Sequence, residues 1–256
     1  MPYAECIRAF RCRVGRTMGG IMHIDQFIHA MEEIAPGDLA EEYDEGRIGL
    51  VVEGTREIGT VVCALDATPR VVEAAISSGA DMLVVHHTPL WHPVTRIEGR
   101  CAALLRRLLS TDTNVYVMHS NFDRAAGGIN DALAGLLDLR DVEHMTLGVV
   151  GACKISRDEI VRRLGAGVRV YGTLETPERL AVVGGSGFDP DLIDEAADRG
   201  ADAFLSSELK HSVALASPLP LIESTHYALE SPGMRQLAKR MGWEFIPDPP
   251  RMVTLQ

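Results

Sequence analysis

The sequence predicts an α/β protein made of two halves, each with mainly parallel strands covered by helices. Three observations predict it. Short Val/Leu/Ile-rich runs alternate with longer amphipathic segments, several of those segments open on helix-start residues, and histidines and acids follow directly on the apolar runs. With 256 residues and 46% hydrophobic content, the chain can bury a substantial core, as one large domain or as two modest ones.

Ile24, Phe27, Ile28 and Met31 recur at helical spacing, so the folded part is expected to begin at Met22. Residues 1–21 carry Arg8, Arg11, Arg13 and Arg16 against Glu5 alone. They read as a basic N-terminal extension, disordered or not native, with Met1 an upstream start; an organelle-targeting segment is the other reading. Residues 48–52 and 60–65 read as strands, and Thr68-Pro69 supplies a capping hydroxyl and a first-turn proline for a helix. The apolar run 82–85 is a buried strand, followed by a helix over 99–109 and a strand over 115–118. Gly127-Gly128 marks a turn before a helix over 129–137. Ser156 with Glu159 forms a capping box ahead of Ile160. Strands over 168–171 and 180–183, a helix opened by Asp189-Pro190, strands over 203–205 and 219–222 and a helix over 226–241 complete the pattern. The weakest join lies near 138–143, which divides the chain into halves 22–140 and 141–256, with a cleft between halves the expected place for a ligand.

Charge and cysteine content exclude several classes. Lys+Arg 25 against Asp+Glu 36 gives a net charge of −11 with no basic cluster, so nucleic acid is not an expected partner. No apolar run approaches the ~20 residues needed to span a bilayer. The five cysteines include no C-x-x-C pair, which fits neither a disulfide framework nor a thiolate zinc knot and points to the reducing cytoplasm.

Side chains suited to a metal come from three places. His86 and His87 end the strand 82–85, Asp123 follows the strand 115–118, and His226 and Glu230 share one helix face four residues apart. Each alone has a bland reading as a core or surface residue. Together, imidazoles and carboxylates without a thiolate suit zinc, iron, manganese or nickel, and five ligands exceed what one ion with open positions takes, which argues for two divalent ions. Adjacent residues on a regular strand face opposite ways, so His86 and His87 could hardly reach one ion from regular strand geometry but could serve two from a turn. Glu208, Lys210 and His211 are candidate acid, base or anion contacts, with solvated helix residues as the alternative. His92, His119 and Asp66 are candidates to support the ligands. Gly184-Gly185-Ser186-Gly187 between a strand and a helix could cradle a phosphate or form a tight turn.

Ala35-Pro36, the segment 81–90, Asn121-Phe122-Asp123, Gly127-Gly128-Ile129-Asn130-Asp131, Gly184-Gly185-Ser186-Gly187, Glu208-Leu209-Lys210 and His226-Tyr227-Ala228 with Glu230 together resemble the NIF-three-like dinuclear metal-centre family. Many members are named GTP cyclohydrolase I type 2 homologues. The resemblance spans residues 22–247 and implies two α/β domains enclosing two divalent ions held by His86, His87, Asp123, His226 and Glu230, in a subunit of a hexameric ring. The chain has Tyr43-Asp44-Glu45 where the family usually has Trp-Asp-Asn, Thr225 in place of Gly, Leu229 in place of Thr, and Ser212 in place of a second His. None of these removes one of the five ligands. The expected function is a metal-dependent hydrolase of a small molecule, nucleotide or pterin-like; the alternative is a non-catalytic, ring-forming metal-binding protein for storage, delivery or regulation.

Overall fold

The computed structural model describes residues 20–174 and 176–251, so the expectations for the N-terminal extension, and Cys6 and Cys12 with it, lie almost wholly outside the described residues. Strand β1 (Met22–His23) leads into α1 (Ile24–Ile34), where His23 accepts from the Asp25 N–H and the Gln26 side chain accepts from the His23 N–H. That reciprocal cap was not legible as Ser/Thr/Asp chemistry, but the buried stripe Ile24, Phe27, Ala30, Met31 and Ile34 has the expected helical period. Two 3₁₀ turns, Gly37–Leu39 and Glu42–Asp44, precede β2 (Gly49–Val52), β3 (Glu57–Ile58) and β4 (Val61–Asp66). Thr68 caps α2 (Pro69–Ser77) through Val71 N at 3.1 Å, as its sequence signal requires. Then come β5 (Met82–His87), α3 (Gly99–Ser110), β6 (Asn114–Val117) and the five-residue α4 (Ser120–Arg124), which places Asp123 on a helical turn where a loop was expected.

The chain continues through α5 (Ile129–Leu137), β7 (Arg140–His144), β8 (Val149–Ala152), α6 (Arg157–Leu164), β9 (Arg169–Tyr171) and β10 (Arg179–Val182). Next are α7 (Pro190–Asp198), β11 (Ala203–Ser206), α8 (His211–Ala216), β12 (Leu221–Glu223), α9 (His226–Met241) and β13 (Glu244–Phe245). Only half of the capping box at Ser156 forms: its hydroxyl accepts from Glu159 N, while the Glu159 carboxylate pairs with Arg162 and Arg163.

Backbone contacts divide the described chain into one unit of residues 20–126 with 234–251 and a second of 127–233. The expected division, 22–140 and 141–256, is corrected at both ends. Residues 140–144 are a strand of the second unit, paired antiparallel with β8, but all five are exposed, so no apolar period reveals them. The chain end returns to the first unit because Met234, Leu237 and Ala238 are buried and β13 adds a parallel strand beside β4.

In the first unit the five-stranded sheet has the order β13-β4-β5-β6-β2, parallel except for β2. Alternate residues Val62, Ala64, Leu83, Val85, Val115 and Val117 join one cluster with α2 residues Val71, Val72 and Ala75. Their neighbours Cys63, Val84 and Tyr116 are also buried, so both faces of these strands are covered. The second unit holds a six-stranded sheet of order β7-β8-β10-β11-β12-β9 with two parallel pairs, β10-β11 and β11-β12, and three antiparallel ones. The expectation of mainly parallel strands therefore holds for the first unit, whereas the second sheet is mixed because β8 and β9 flank its parallel centre in antiparallel pairing. Leu180, Val182 and Leu205 pack on one face and Ala181, Val183 and Phe204 on the other. Each fully buried Val, Leu or Phe among these contributes about 1.5 to 3 kcal/mol.

Candidate metal centre

In the first unit, parallel pairing of β4, β5 and β6 brings Asp66, His86, His87 and the residues after Val117 to the same carboxyl edge. His86 is fully buried, and its Nδ1 lies 2.7 Å from the Met118 carbonyl. A carbonyl only accepts, so Nδ1 carries the proton and Nε2 the lone pair. That Nε2 lies 3.5 Å from Asp123 Oδ1. Two acceptor atoms at this distance repel unless a cation or a further proton sits with them.

The same logic repeats at the neighbouring rings. His87 Nδ1 donates to Asp66 Oδ1 at 2.7 Å, as expected of a supporting role for Asp66. His119, the residue before α4, places Nδ1 3.0 and 2.9 Å from the two oxygens of Asp44. The His86 and His87 ring centroids are 4.9 Å apart although both residues belong to strand β5, where a turn was expected, and His119 is 4.9 and 5.6 Å from them. One donor atom from each of these three rings lies within 4.8 Å of the others, a group that could hold a metal ion.

Asp44 is wholly buried in the turn Glu42–Asp44. Burial opposes its charge, but hydrogen bonds from His119 and from the Ser120 hydroxyl and N–H outweigh it and hold the carboxyl below its ordinary range. Tyr43 is half-exposed, its ring 6.2 Å from His119 and 6.4 Å from Trp91. Burial, then the charges of Asp44, Asp123 and Glu41, push its hydroxyl up to about 12, so it remains a proton donor at neutral pH. Arg47 holds Trp91 by stacking on the ring at 5.4 Å and donating to its carbonyl at 2.7 Å.

In the second unit, His226 opens α9 and Glu230 lies one turn on, with His226 Nε2 2.9 Å from Glu230 Oε2. His226 Nδ1 bonds Glu208 Oε1 at 2.7 Å. Glu208 has φ +64°, a left-handed conformation that costs a non-glycine residue about 1 to 2 kcal/mol, and it spends that strain where its carboxylate meets the imidazole. Of the three candidate acid–base residues, Glu208 is therefore the one seen to bond a candidate ligand histidine, while Lys210 and His211 are exposed at the start of α8.

The glycine loop has a packing reason. Gly185 has φ +70°, and a Cβ there would fall closer than 3.0 Å to Glu230 Oε1 and 3.4 Å from His226 Nε2. Its neighbours' N–H groups are already used: Gly184 donates to Asn130 Oδ1 and Gly187 to Ser206 Oγ, both at 2.8 Å. The loop is thus a close-approach turn against Glu230.

Sequence reasoning missed Asp44, Tyr43, Trp91 and Arg47. The position of Tyr43-Asp44-Glu45 against the family's Trp-Asp-Asn was the available signal. His92 lies exposed in the segment after Thr88. Cys63, Cys101 and Cys153 are free thiols, and among the described residues no helix is long and apolar enough to cross a membrane. The donor set fits a divalent cation: every candidate imidazole has Nδ1 held by an acceptor, which leaves Nε2 as the ring nitrogen for coordination.

Fold and site together define an α/β protein with His, Asp and Glu groups that could hold a metal ion. The pattern of the Duf34/NIF3 (NGG1p interacting factor 3) family matches residues 22–246, and the chain belongs to that family. It is 33% identical to the GTP cyclohydrolase 1 type 2 homolog of Streptomyces coelicolor over 86% of this chain and 88% of that one. The homolog of the same name from Methanocaldococcus jannaschii is also 33% identical, over 84% and 93%. Among solved structures, reduced HcgD from Methanocaldococcus jannaschii superposes with TM-score 0.75 at 29% identity, covering 88% of this chain and 97% of that one. A Bacillus cereus protein related to NIF3 shares the fold, with TM-score 0.82 at 19% identity over 92% and 100%.

Proposed function

We propose that the chain binds two divalent ions through His86, His87, Asp123, His226 and Glu230 and acts as a metal-dependent hydrolase on a small molecule, nucleotide or pterin-like. The observation that carries the reading is the repeated anchoring of Nδ1: Met118 O, Asp66, Asp44 and Glu208 each fix one histidine and leave Nε2 as the coordinating nitrogen. The relatives' name, GTP cyclohydrolase 1 type 2 homolog, supports a heterocyclic substrate, and the net charge of −11 disfavours a polyanion.

A bound divalent pair would supply Lewis acidity and acidify a water for hydrolysis. The chain's own groups do the rest. Asp66 and Glu208 orient His87 and His226 and raise their basicity as ligands. Tyr43, protonated at neutral pH, is a donor for negative charge developing on a substrate. Cytoplasmic location and assembly into a homo-oligomer, a hexameric ring as in the family, belong to the same proposal, and sedimentation velocity tests the ring.

The test is metal content by plasma mass spectrometry on protein purified without chelators or tags, beside a His226→Ala/Glu230→Ala variant, followed by a substrate screen with Glu230→Gln as control. Two ions in the native chain, their loss in the double variant and turnover abolished by Glu230→Gln are the expected results. Absence of metal even after incubation with zinc, iron, manganese or nickel overturns the reading. Bound ions that exchange within seconds, without turnover, would replace hydrolysis by metal storage or delivery.

A further inference from the structure

We propose that Trp91, with the ring of Tyr43 beside it, is the specificity-determining surface of the site and stacks on a planar fused heterocycle, a purine or a pterin. This rests on the hydrolase reading above and names the part of the substrate that the chain grips.

The Trp91 ring lies 5.4 Å from that of His119 at 83° and 6.4 Å from that of Tyr43 at 46°, and Tyr43 lies 6.2 Å from His119. These separations fall within the 4.5–7 Å of paired aromatics. Trp91 and Tyr43 are nonetheless open to solvent, by 42% and 52%. An indole is ordinarily held in place by burying its large apolar face. Trp91 is held by other means. The Arg47 guanidinium sits over its ring at 5.4 Å, and Arg47 Nε donates to its backbone carbonyl at 2.7 Å. Just before it, Thr88 Oγ1 accepts from Leu90 N at 3.2 Å, and Pro89 and Pro93 restrict the backbone on either side. Fixing a half-exposed ring costs conformational entropy for little burial, so the stabilisation comes when a partner covers the ring.

The partner's chemistry follows from the surface. Aromatic faces recognise flat π systems, and a sugar or a phosphate gains far less from them. A heterocycle on Trp91 also lies beside His119, whose ring is 4.9 and 5.6 Å from those of His86 and His87, so stacking there brings its edge toward the candidate metal group. Arg47 acts through Trp91 and is a positioning residue.

The experiment uses the full chain, zinc-loaded and metal-free, with metal content measured on every sample. The probes are guanosine, pterin and ribose 5-phosphate: two fused heterocycles, one with a sugar and one without, and a sugar phosphate with no aromatic ring. Calorimetry gives their affinities for the native protein, Trp91→Leu, Trp91→Phe, Tyr43→Leu and Arg47→Lys, and sedimentation velocity gives the size of each. The chain has two tryptophans, and Trp243 stacks on Phe27 at 6.0 Å, so a Trp243→Phe protein reports Trp91 alone by fluorescence. The heterocycles should bind and guanosine should quench Trp91, whereas ribose 5-phosphate should do neither; the tighter heterocycle tells a purine site from a pterin site. Trp91→Leu should weaken that heterocycle by about 5- to 150-fold, the range that stacking of one base carries, with metal content unchanged. Tyr43→Leu should weaken it in the same direction, and Trp91→Phe, which keeps a ring, should retain most of the affinity. Arg47→Lys keeps the charge but not the planar fork, so the anisotropy of Trp91 and heterocycle affinity should fall together. Failure of both heterocycles to bind, binding undiminished in Trp91→Leu, or a Trp91→Leu chain altered only in its assembly would overturn this inference, while bound metal leaves the hydrolase reading standing. No metal in the native chain would overturn that reading and this inference with it.

Discussion

Replacing Gly185 with alanine probes the proposed role of Glu230 from a residue that is not itself a ligand. Two costs arise at separate levels. The backbone sits at φ +70°, where an L-residue pays about 1 to 2 kcal/mol whether or not metal is present. The new Cβ would also come within 3.0 Å of Glu230 Oε1. Glu230 is 3% exposed and has little room to yield, so the carboxylate must leave its present place beside His226 Nε2. If Glu230 is a ligand, affinity should fall by at least the 10–100-fold typical of a disturbed ligand environment. At saturating zinc that removes about 1.4 to 2.7 kcal/mol of metal-induced stabilisation. Urea unfolding with and without zinc separates the terms: the metal-free difference reports the backbone cost, and the shrinkage of the zinc increment reports the ligand. Gly187→Ala is the control, since its Cβ would strike Val183 and lie 2.8 Å from Ser206 Oγ, lowering stability without touching Glu230. A Gly185→Ala protein that is destabilised yet keeps the full zinc increment would refute Glu230 as a ligand.

Asp66→Asn keeps an acceptor for His87 but removes its charge, so zinc affinity should fall within the 10–100-fold range by chelator competition, and an unchanged value would deny Asp66 its orienting role. Leu205→Ala empties a fully buried place in the second unit's core and should cost 2–5 kcal/mol in denaturant unfolding with metal stoichiometry unchanged. Glu195 accepts from Thr146 N at 3.0 Å and from Arg199 at 2.8 Å; burial raises its pKa, but these bonds outweigh it and hold it below its ordinary 4.5. A depressed folded value means its contribution is present above the unfolded pKa and lost as pH falls through the folded one. Glu195→Gln should therefore cost about 1 kcal/mol at pH 7, a gap that closes as pH drops below 4.5; a gap constant down to acid unfolding would refute the assignment.

The elements that were legible share strong local signals. Thr68-Pro69 and Asp189-Pro190 both open helices, and Met82–His87 is a strand, because a capping oxygen, a fixed proline φ and an uninterrupted apolar run act within a few residues. The strand Arg140–His144 was illegible since its exposed, mostly polar residues gain their order from pairing with Val149–Ala152. The two-residue strand Glu244–Phe245 likewise exists only through its bonds to Val62 and Cys63.

For the candidate site, the sequence by itself determined the donor chemistry: two adjacent histidines closing a strand, an acid after the next strand, and a His/Glu pair one helical turn apart. Those follow from residue type and the periods of strand and helix. Only the tertiary structure decided what holds them. Asp44 reaches His119 across 75 residues of chain, Asp66 reaches His87 across 21, and Glu208 reaches His226 across 18 while accepting a left-handed backbone. Such partners have no spacing rule, because a hydrogen bond between side chains on different elements depends on where the sheets place the elements, and that placement is set by core packing distributed over each whole unit.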